Sequence, residues 1–284
     1  MACYDRELLR LLPRVLRARD FHLYLEGGKR LVDLWRAGGR AVLGHKPPHV
    51  VSELKNSAER GLFTPLPHPL ERRFIKALSQ FFPGRAFRLY QDEASLCRVL
   101  EKAGIAPADI AGPFNDPAFP SRDTEKGISL WRPFLEKKVT DTFFMPVLPW
   151  PLGPAVLVPG KDMEDSFPPG ELIPPVLLAP AARALHDLAA ALKTFSENHG
   201  GPAYPKIEKA LNKAQSDGSE AIVWRRRGIY LTVEPGMDRE EYVSLFRNFL
   251  EGGFLIPPSP AEPAILPLVM SPGEESKLAQ LLVN

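Results

Sequence analysis

Cysteine is almost missing from this chain: Cys3 and Cys97 are the only two in 284 residues. That argues against a disulfide framework, and no metal-ligand spacing accompanies them. An excess of one charge is missing as well. Lys and Arg number 36 against 34 Asp and Glu, a net charge of +2 spread along the chain. Such a balance gives no electrostatic case for a nucleic-acid partner or an anionic membrane surface. No apolar run is long enough to cross a bilayer, because proline breaks each of them. Asp5, Arg6 and Glu7 stand where a secretory signal would need an apolar core, so a cytoplasmic protein is the expectation. Glycine-rich nucleotide loops of the P-loop and dinucleotide kinds are also missing.

What is present is the composition of a globular protein, 44% hydrophobic and 25% charged, long enough for one large domain or two ordinary ones. The 31 prolines are about twice the average share. They concentrate over residues 107–180, where long irregular connections are expected in place of regular α/β units. Residues 5–17 place Leu8, Leu11, Leu12 and Val15 at helical spacing, with Pro13 kinking or breaking the helix. Residues 21–25, the turn Glu26-Gly27-Gly28-Lys29 and residues 30–34 read as strand, tight turn and strand.

Residues 48–61 and 69–82 read as helices, the second with Leu70, Phe74, Ala77, Leu78 and Phe81 inward. A short helix is expected over 95–103. Between 105 and 175 the periodic signal fades, and only 142–148 and 155–158 survive as buried strands bounded by prolines. Residues 180–196 form a strong helical pattern. The last eighty or so residues read as a compact α+β unit, with helices over 204–214, 239–251 and 273–282 and strands near 221–224, 228–233 and 254–256. Met237-Asp238-Arg239 and Ser271-Pro272-Gly273-Glu274-Glu275 carry helix-start chemistry.

Few constellations carry chemistry by themselves. Arg225-Arg226-Arg227 lies between two strand-like runs and reads as a charged strand edge or turn in preference to a phosphate site. His45 and His49 are four apart, but Pro47 and Pro48 forbid the helical face a metal pair would need. Ser95 and Cys97 lack a paired base. Trp131, Trp150 and Phe143 suit a packed core better than a pocket wall.

Two ends of the chain carry a resemblance. Near the start stand Tyr24-Leu25-Glu26-Gly27-Gly28-Lys29-Arg30-Leu31-Val32-Asp33, then Leu43-Gly44-His45-Lys46-Pro47-Pro48, then Thr64-Pro65-Leu66-Pro67-His68-Pro69-Leu70-Glu71. Near the end stand Phe249-Leu250-Glu251-Gly252-Gly253-Phe254-Leu255-Ile256-Pro257-Pro258-Ser259, then Glu262 and Leu266, then the Ser-Pro-Gly-Glu-Glu helix start. In this order they resemble the class III aminotransferases of the glutamate-1-semialdehyde aminomutase type, over about half of the chain. Enzymes of that family work through a Schiff base between a lysine and pyridoxal phosphate.

The middle departs from the pattern. The family's phosphate turn reads Ser-Gly-Thr-Glu-Ala, and this chain has Tyr90-Gln91-Asp92-Glu93-Ala94. Gln91 removes the glycine that allows close approach, and Asp92 sets a carboxylate where a hydroxyl should be. The resemblance implies an aspartate for the pyridinium nitrogen after a buried strand. Asp109, Asp116, Asp123 and Asp141 are the candidates, none of them after such a run. Pro151-Leu152-Gly153-Pro154-Ala155 resembles the segment that follows the lysine, which puts the lysine position near Phe144. Lys137 and Lys138 lie too far upstream, and Lys161 lies beyond the strand.

The resemblance therefore implies an α/β protein, with a reduced fold type I large domain over residues 20–195 and a C-terminal α+β small domain over 196–284. An N-terminal segment, residues 1–19, precedes them. It implies a catalytically silent relative with no bound cofactor, a two-fold homodimer burying Leu62 and Phe63, and a small-molecule or protein partner. The alternative is an active aminotransferase or aminomutase that binds pyridoxal phosphate through Lys161.

Overall fold

The computed structural model describes residues 5–102, 104, 114–119, 128–135, 142–197, 203–216, 224–233 and 237–283. In chain order its first elements are α1 (Arg6–Arg10), β1 (Val15–Arg19), β2 (His22–Leu25), β3 (Arg30–Asp33), α2 (Pro48–Glu59), α3 (Pro69–Phe81), β4 (Arg88–Tyr90) and α4 (Glu93–Lys102). Four strands follow: β5 (Phe114–Asn115), β6 (Ile128–Trp131), β7 (Phe143–Pro146) and β8 (Ala155–Pro159). The rest are α5 (Pro175–Glu197), α6 (Pro205–Ser216), β9 (Trp224–Arg227), β10 (Tyr230–Val233), α7 (Arg239–Gly252), β11 (Phe254–Leu255), β12 (Ala264–Ile265) and α8 (Pro272–Leu281). The chain divides into two compact units, Gly39–Leu192 and Ala2–Gly38 with Lys193–Asn284.

The first unit is built on a five-stranded sheet in the order β4-β8-β7-β6-β5. β8 runs antiparallel to both of its neighbours, while β5, β6 and β7 are mutually parallel. Hence β4, β5, β6 and β7 all point one way and bring their carboxyl ends to a common edge. β8 is buried along its whole length, as a strand covered on both faces should be. Its alternate residues serve two cores. Val156 and Val158 join Phe74, Leu78, Leu89, Phe144 and Leu185, beneath α3 and α5. Ala155 and Leu157 join Tyr90, Leu96, Leu100 and Met145, beneath α4. Trp131 and Trp150 pack within or against the first core, and Phe143 stacks on Phe167 at 5.3 Å, so all three aromatics pack against the sheet.

The second unit holds two sheets, β1-β2-β3-β11 and β12-β10-β9. The sequence groups the leading hairpin with residues up to 195. In the structure β3 pairs in parallel with β11, Val32 opposite Phe254 and Asp33 opposite Leu255, which puts the hairpin in the C-terminal unit. Helix ends follow their sequence signals: Asp238 and Ser271 close capping boxes with Glu241 and Glu274 at the starts of α7 and α8. After β3 the backbone makes a left-handed turn, with φ of 49° at Arg36, 50° at Ala37 and 69° at Gly38. Arg36 is fully buried. Its Nε donates to the Asp33 carbonyl, its Nη2 to the Ile265 carbonyl, and its guanidinium lies 4.4 Å from the Phe21 ring centre. Burial pulls its pKa down to about 10.

Several elements differ from the sequence expectations. The helix expected over 5–17 stops at Arg10, and Val15–Arg19 forms a strand against β2. Pro13 ends the helical run, and the residues after it gain a ladder partner. α5 begins five residues early and runs through Pro180, which is itself buried. The apolar burial of that first turn outweighs the one backbone bond that proline removes. β5, β6 and β12 have no counterpart among the sequence expectations. The Arg225–Arg227 run lies in edge strand β9, and the expected strand residues 221–223 fall outside the described residues, as do Asp109, Asp123, Asp141, Lys137 and Lys138.

Candidate functional site

Open α/β sheets bind ligands outside the carboxyl ends of their strands, so the common edge of β4–β7 is where a site should lie. Each strand delivers a distinct group there. After β4 comes the turn Gln91-Asp92-Glu93, opening α4. After β5 comes Asp116, and after β6 comes Arg132. After β7 come Val147 and Leu148, with Trp150 a little further on.

The turn after β4 is satisfied from within. Asp92 Oδ1 accepts from the Ser95 N–H at 2.7 Å, the N-cap bond of α4. That bond, the largest of its causes, holds the Asp92 carboxyl below its ordinary range. The Gln91 N–H donates to Glu171 Oε2 at 2.8 Å. Glu93 is ion-paired to Arg40, whose Nη1 also donates to the Gly153 carbonyl at 3.3 Å. Arg40 thus ties the turn to the Pro-Leu-Gly segment, a role no local pattern could announce. Two backbone donors of the turn, the Gln91 and Ser95 N–H groups, already hold carboxylates, and Asp92, Glu93 and Glu171 put three acidic side chains around it.

Asp116 and Arg132 make a buried pair, each under a tenth exposed. Arg132 Nε donates to Asp116 Oδ1 at 2.7 Å and its Nη2 to Oδ2 at 2.6 Å, a two-pronged geometry. The sequence places no candidate aspartate after a buried strand. The structure sets Asp116 directly after β5, a strand of only two residues that escapes pattern reading. Its carboxylate is engaged by the guanidinium and, through Oδ1, by the Ala118 N–H at 3.0 Å.

Phe144 lies within β7 at 1% exposure, ring to ring with Phe82 at 4.9 Å. It is a core residue one turn of pleat short of the carboxyl edge, and the edge itself carries Val147 and Leu148. Lys161 opens the 3-10 turn Lys161–Ser166 beyond the end of β8. Register sets Tyr90 opposite Ala155 and Phe143 opposite Pro159. Lys161 therefore sits past the amino end of β7, at the opposite end of the sheet from Asp92. Ser95 Oγ accepts from Arg98 and lies beside the Asp92 carboxylate, with no histidine partner among the described residues. Among the described residues no cluster of His, Cys, Asp and Glu could hold a metal ion, and no helix is long and apolar enough to cross a membrane.

This edge can be set beside known proteins. No protein-family model matches the chain. An uncharacterized protein of Treponema pallidum (strain Nichols) is 28% identical over 94% of this chain and 93% of its own length. Glutamate-1-semialdehyde 2,1-aminomutase of Hyperthermus butylicus is 30% identical over 104 residues, which span 36% of this chain and 24% of that enzyme. Among solved structures, ornithine delta-aminotransferase of Plasmodium falciparum superposes with a TM-score of 0.67 at 14% identity, over 95% of this chain and 91% of that one. N-acetylornithine aminotransferase of Stenotrophomonas maltophilia gives 0.66 at 13% identity, over 98% and 97%. The fold is that of the pyridoxal-phosphate-dependent aminotransferases.

Proposed function

We infer that this aminotransferase-fold protein does not carry out pyridoxal-phosphate chemistry and serves as a binding or partner protein. The observation that carries the reading is Asp92. Its carboxylate caps α4 at the phosphate turn, so the chain supplies its own anion where the cofactor's phosphate would bind. Two further features support it. The carboxyl edge of β7 has no amine, only Val147 and Leu148, and Asp116 is committed to Arg132. The residues at this edge do not fit pyridoxal phosphate.

The competing reading, an enzyme using Lys161, gains no support from geometry, since that lysine and the turn lie at opposite ends of the sheet. Titration of the purified chain with pyridoxal phosphate is the test. No borohydride-reducible visible absorbance is expected. A reducible band, mapped by peptide analysis to any lysine and abolished by its replacement with alanine, would overturn the proposal. As a partner protein the chain would pair with a second copy through residues 43–69, a segment close to the family pattern.

A further inference from the structure

Away from that edge, on the outer flank of β4, lies a cleft of about 440 Å³. α3 supplies one wall through Glu71, Ile75 and Ser79, which share a face at spacings of four. The strand β4 and its approach form the floor, and the Lys161 turn with residues 170–172 closes the other side. That last wall is fixed tightly. The Glu171 N–H donates to the Leu89 carbonyl at 2.7 Å, and a Cβ at Gly170 would fall 2.8 Å from both Leu89 N and O. Only glycine fits there.

The charges lining the cleft balance. Arg85, Arg88 and Lys161 face Glu71, Glu164 and Glu171. Arg88 is spent on Glu164, through Nη1 to Oε1 at 3.1 Å and Nη2 to its carbonyl at 3.0 Å. The Arg88 Nε is buried and donates to nothing described. Neither the Lys161 amine nor the Glu71 carboxylate has a hydrogen-bond or ion-pair partner among the described residues. One open cation and one open anion therefore face a single cavity, together with the apolar surfaces of Ile75, Phe87 and Leu172. Leu172 is 44% exposed, an apolar side chain left at the rim.

The geometry points to a site for a small zwitterion with an apolar tail, of the free α-amino-acid type. A carboxylate would meet Lys161, an ammonium would meet Glu71, and the tail would cover Ile75 and Leu172. A polyanion is disfavoured by the three carboxylates, and a polycation by the three basic groups. The cleft meets the Asp92 turn only through Glu171 and Leu172, which bond Gln91, and it requires no cofactor.

The experiment is calorimetric titration of the full chain with L-leucine and with its two halves, 4-methylpentanoate and 3-methylbutylamine. L-leucine should bind, and each half should bind at least about fivefold more weakly. Lys161→Ala should erase the advantage of L-leucine over the amine, and Glu71→Ala its advantage over the acid. Both side chains stand at the surface of the cleft, so neither variant disturbs the core. Equal binding of L-leucine and either half, heat unchanged in both variants, or no heat from L-leucine at millimolar concentration would each overturn the proposal.

Discussion

Two buried groups at the carboxyl edge show how a single residue can decide chemistry and stability together. Asp116 neutralises a guanidinium that is 4% exposed. Removing the acid leaves Arg132 charged in a low-dielectric site, and pairs broken in this way cost about 3–5 kcal/mol. Asp116→Ala should therefore unfold at markedly lower denaturant, whereas Asp92→Ala, which loses only an N-cap, should cost about 1 kcal/mol. Urea denaturation of both variants checks the order, and equal losses would refute it. Ala37 gives the opposite sign. It adopts φ 50° and ψ 48°, a left-handed conformation that costs a residue with a Cβ about 1–2 kcal/mol and glycine little. Ala37→Gly should leave the protein as stable or more stable, even though glycine loosens the unfolded chain. A clear fall in melting temperature would mean that the Ala37 methyl makes contacts outweighing the strain.

At the scale of elements, α8 is clasped to the leading hairpin by one carboxylate. Glu274 Oε1 lies 2.9 Å from His22 Nε2 on β2 and 2.9 Å from the Arg30 Nη2 on β3. Its Oε2 accepts from the Ser271 N–H and hydroxyl at the helix start. Burial pushes the Glu274 carboxyl up, but the bonds from His22 and Ser271 outweigh it and hold the pKa below its ordinary value of 4.5. A carboxylate depressed in the folded state adds stability above the unfolded pKa and loses it as pH falls through the folded one. Glu274→Gln should thus cost about 2 kcal/mol near neutrality, and the gap to wild type should close as pH drops below 4.5. A gap that stays constant with pH would show that the clasp is not ionic.

The same helix was legible in the sequence, because Ser271 and Glu274 spell a capping box three residues apart. α3 and α7 were legible for the related reason that their apolar residues recur at helical spacing. β5 and β12, two residues each, are shorter than any pattern that could announce them. Arg40 and the Asp116–Arg132 pair depend on contacts 53 and 16 residues apart, and only the folded sheet brings those partners together. The resemblance supplied the fold, and the sequence of the turn supplied Asp92. What the carboxylate does there, capping α4 and not merely repelling a phosphate, needed coordinates.

For the whole molecule, the proposed binding role asks for a partner surface, and the surface of the first unit offers an argument. Phe63 and Leu66 are 60% and 59% exposed, separated by a Thr-Pro step just before α3. Two large apolar side chains on one short connection are costly in a monomer and ordinary in an interface. They lie within residues 43–69, the segment through which the proposed pairing would run. A closed dimer would cover both side chains twice, once on each copy. Light scattering at micromolar concentration should give twice the 31.6 kDa chain mass, and Phe63→Asp, which sets a charge in the contact, should return the chain mass with its circular dichroism unchanged. A wild-type protein that scatters as a monomer, or a Phe63→Asp variant that stays dimeric, would place the partner surface elsewhere.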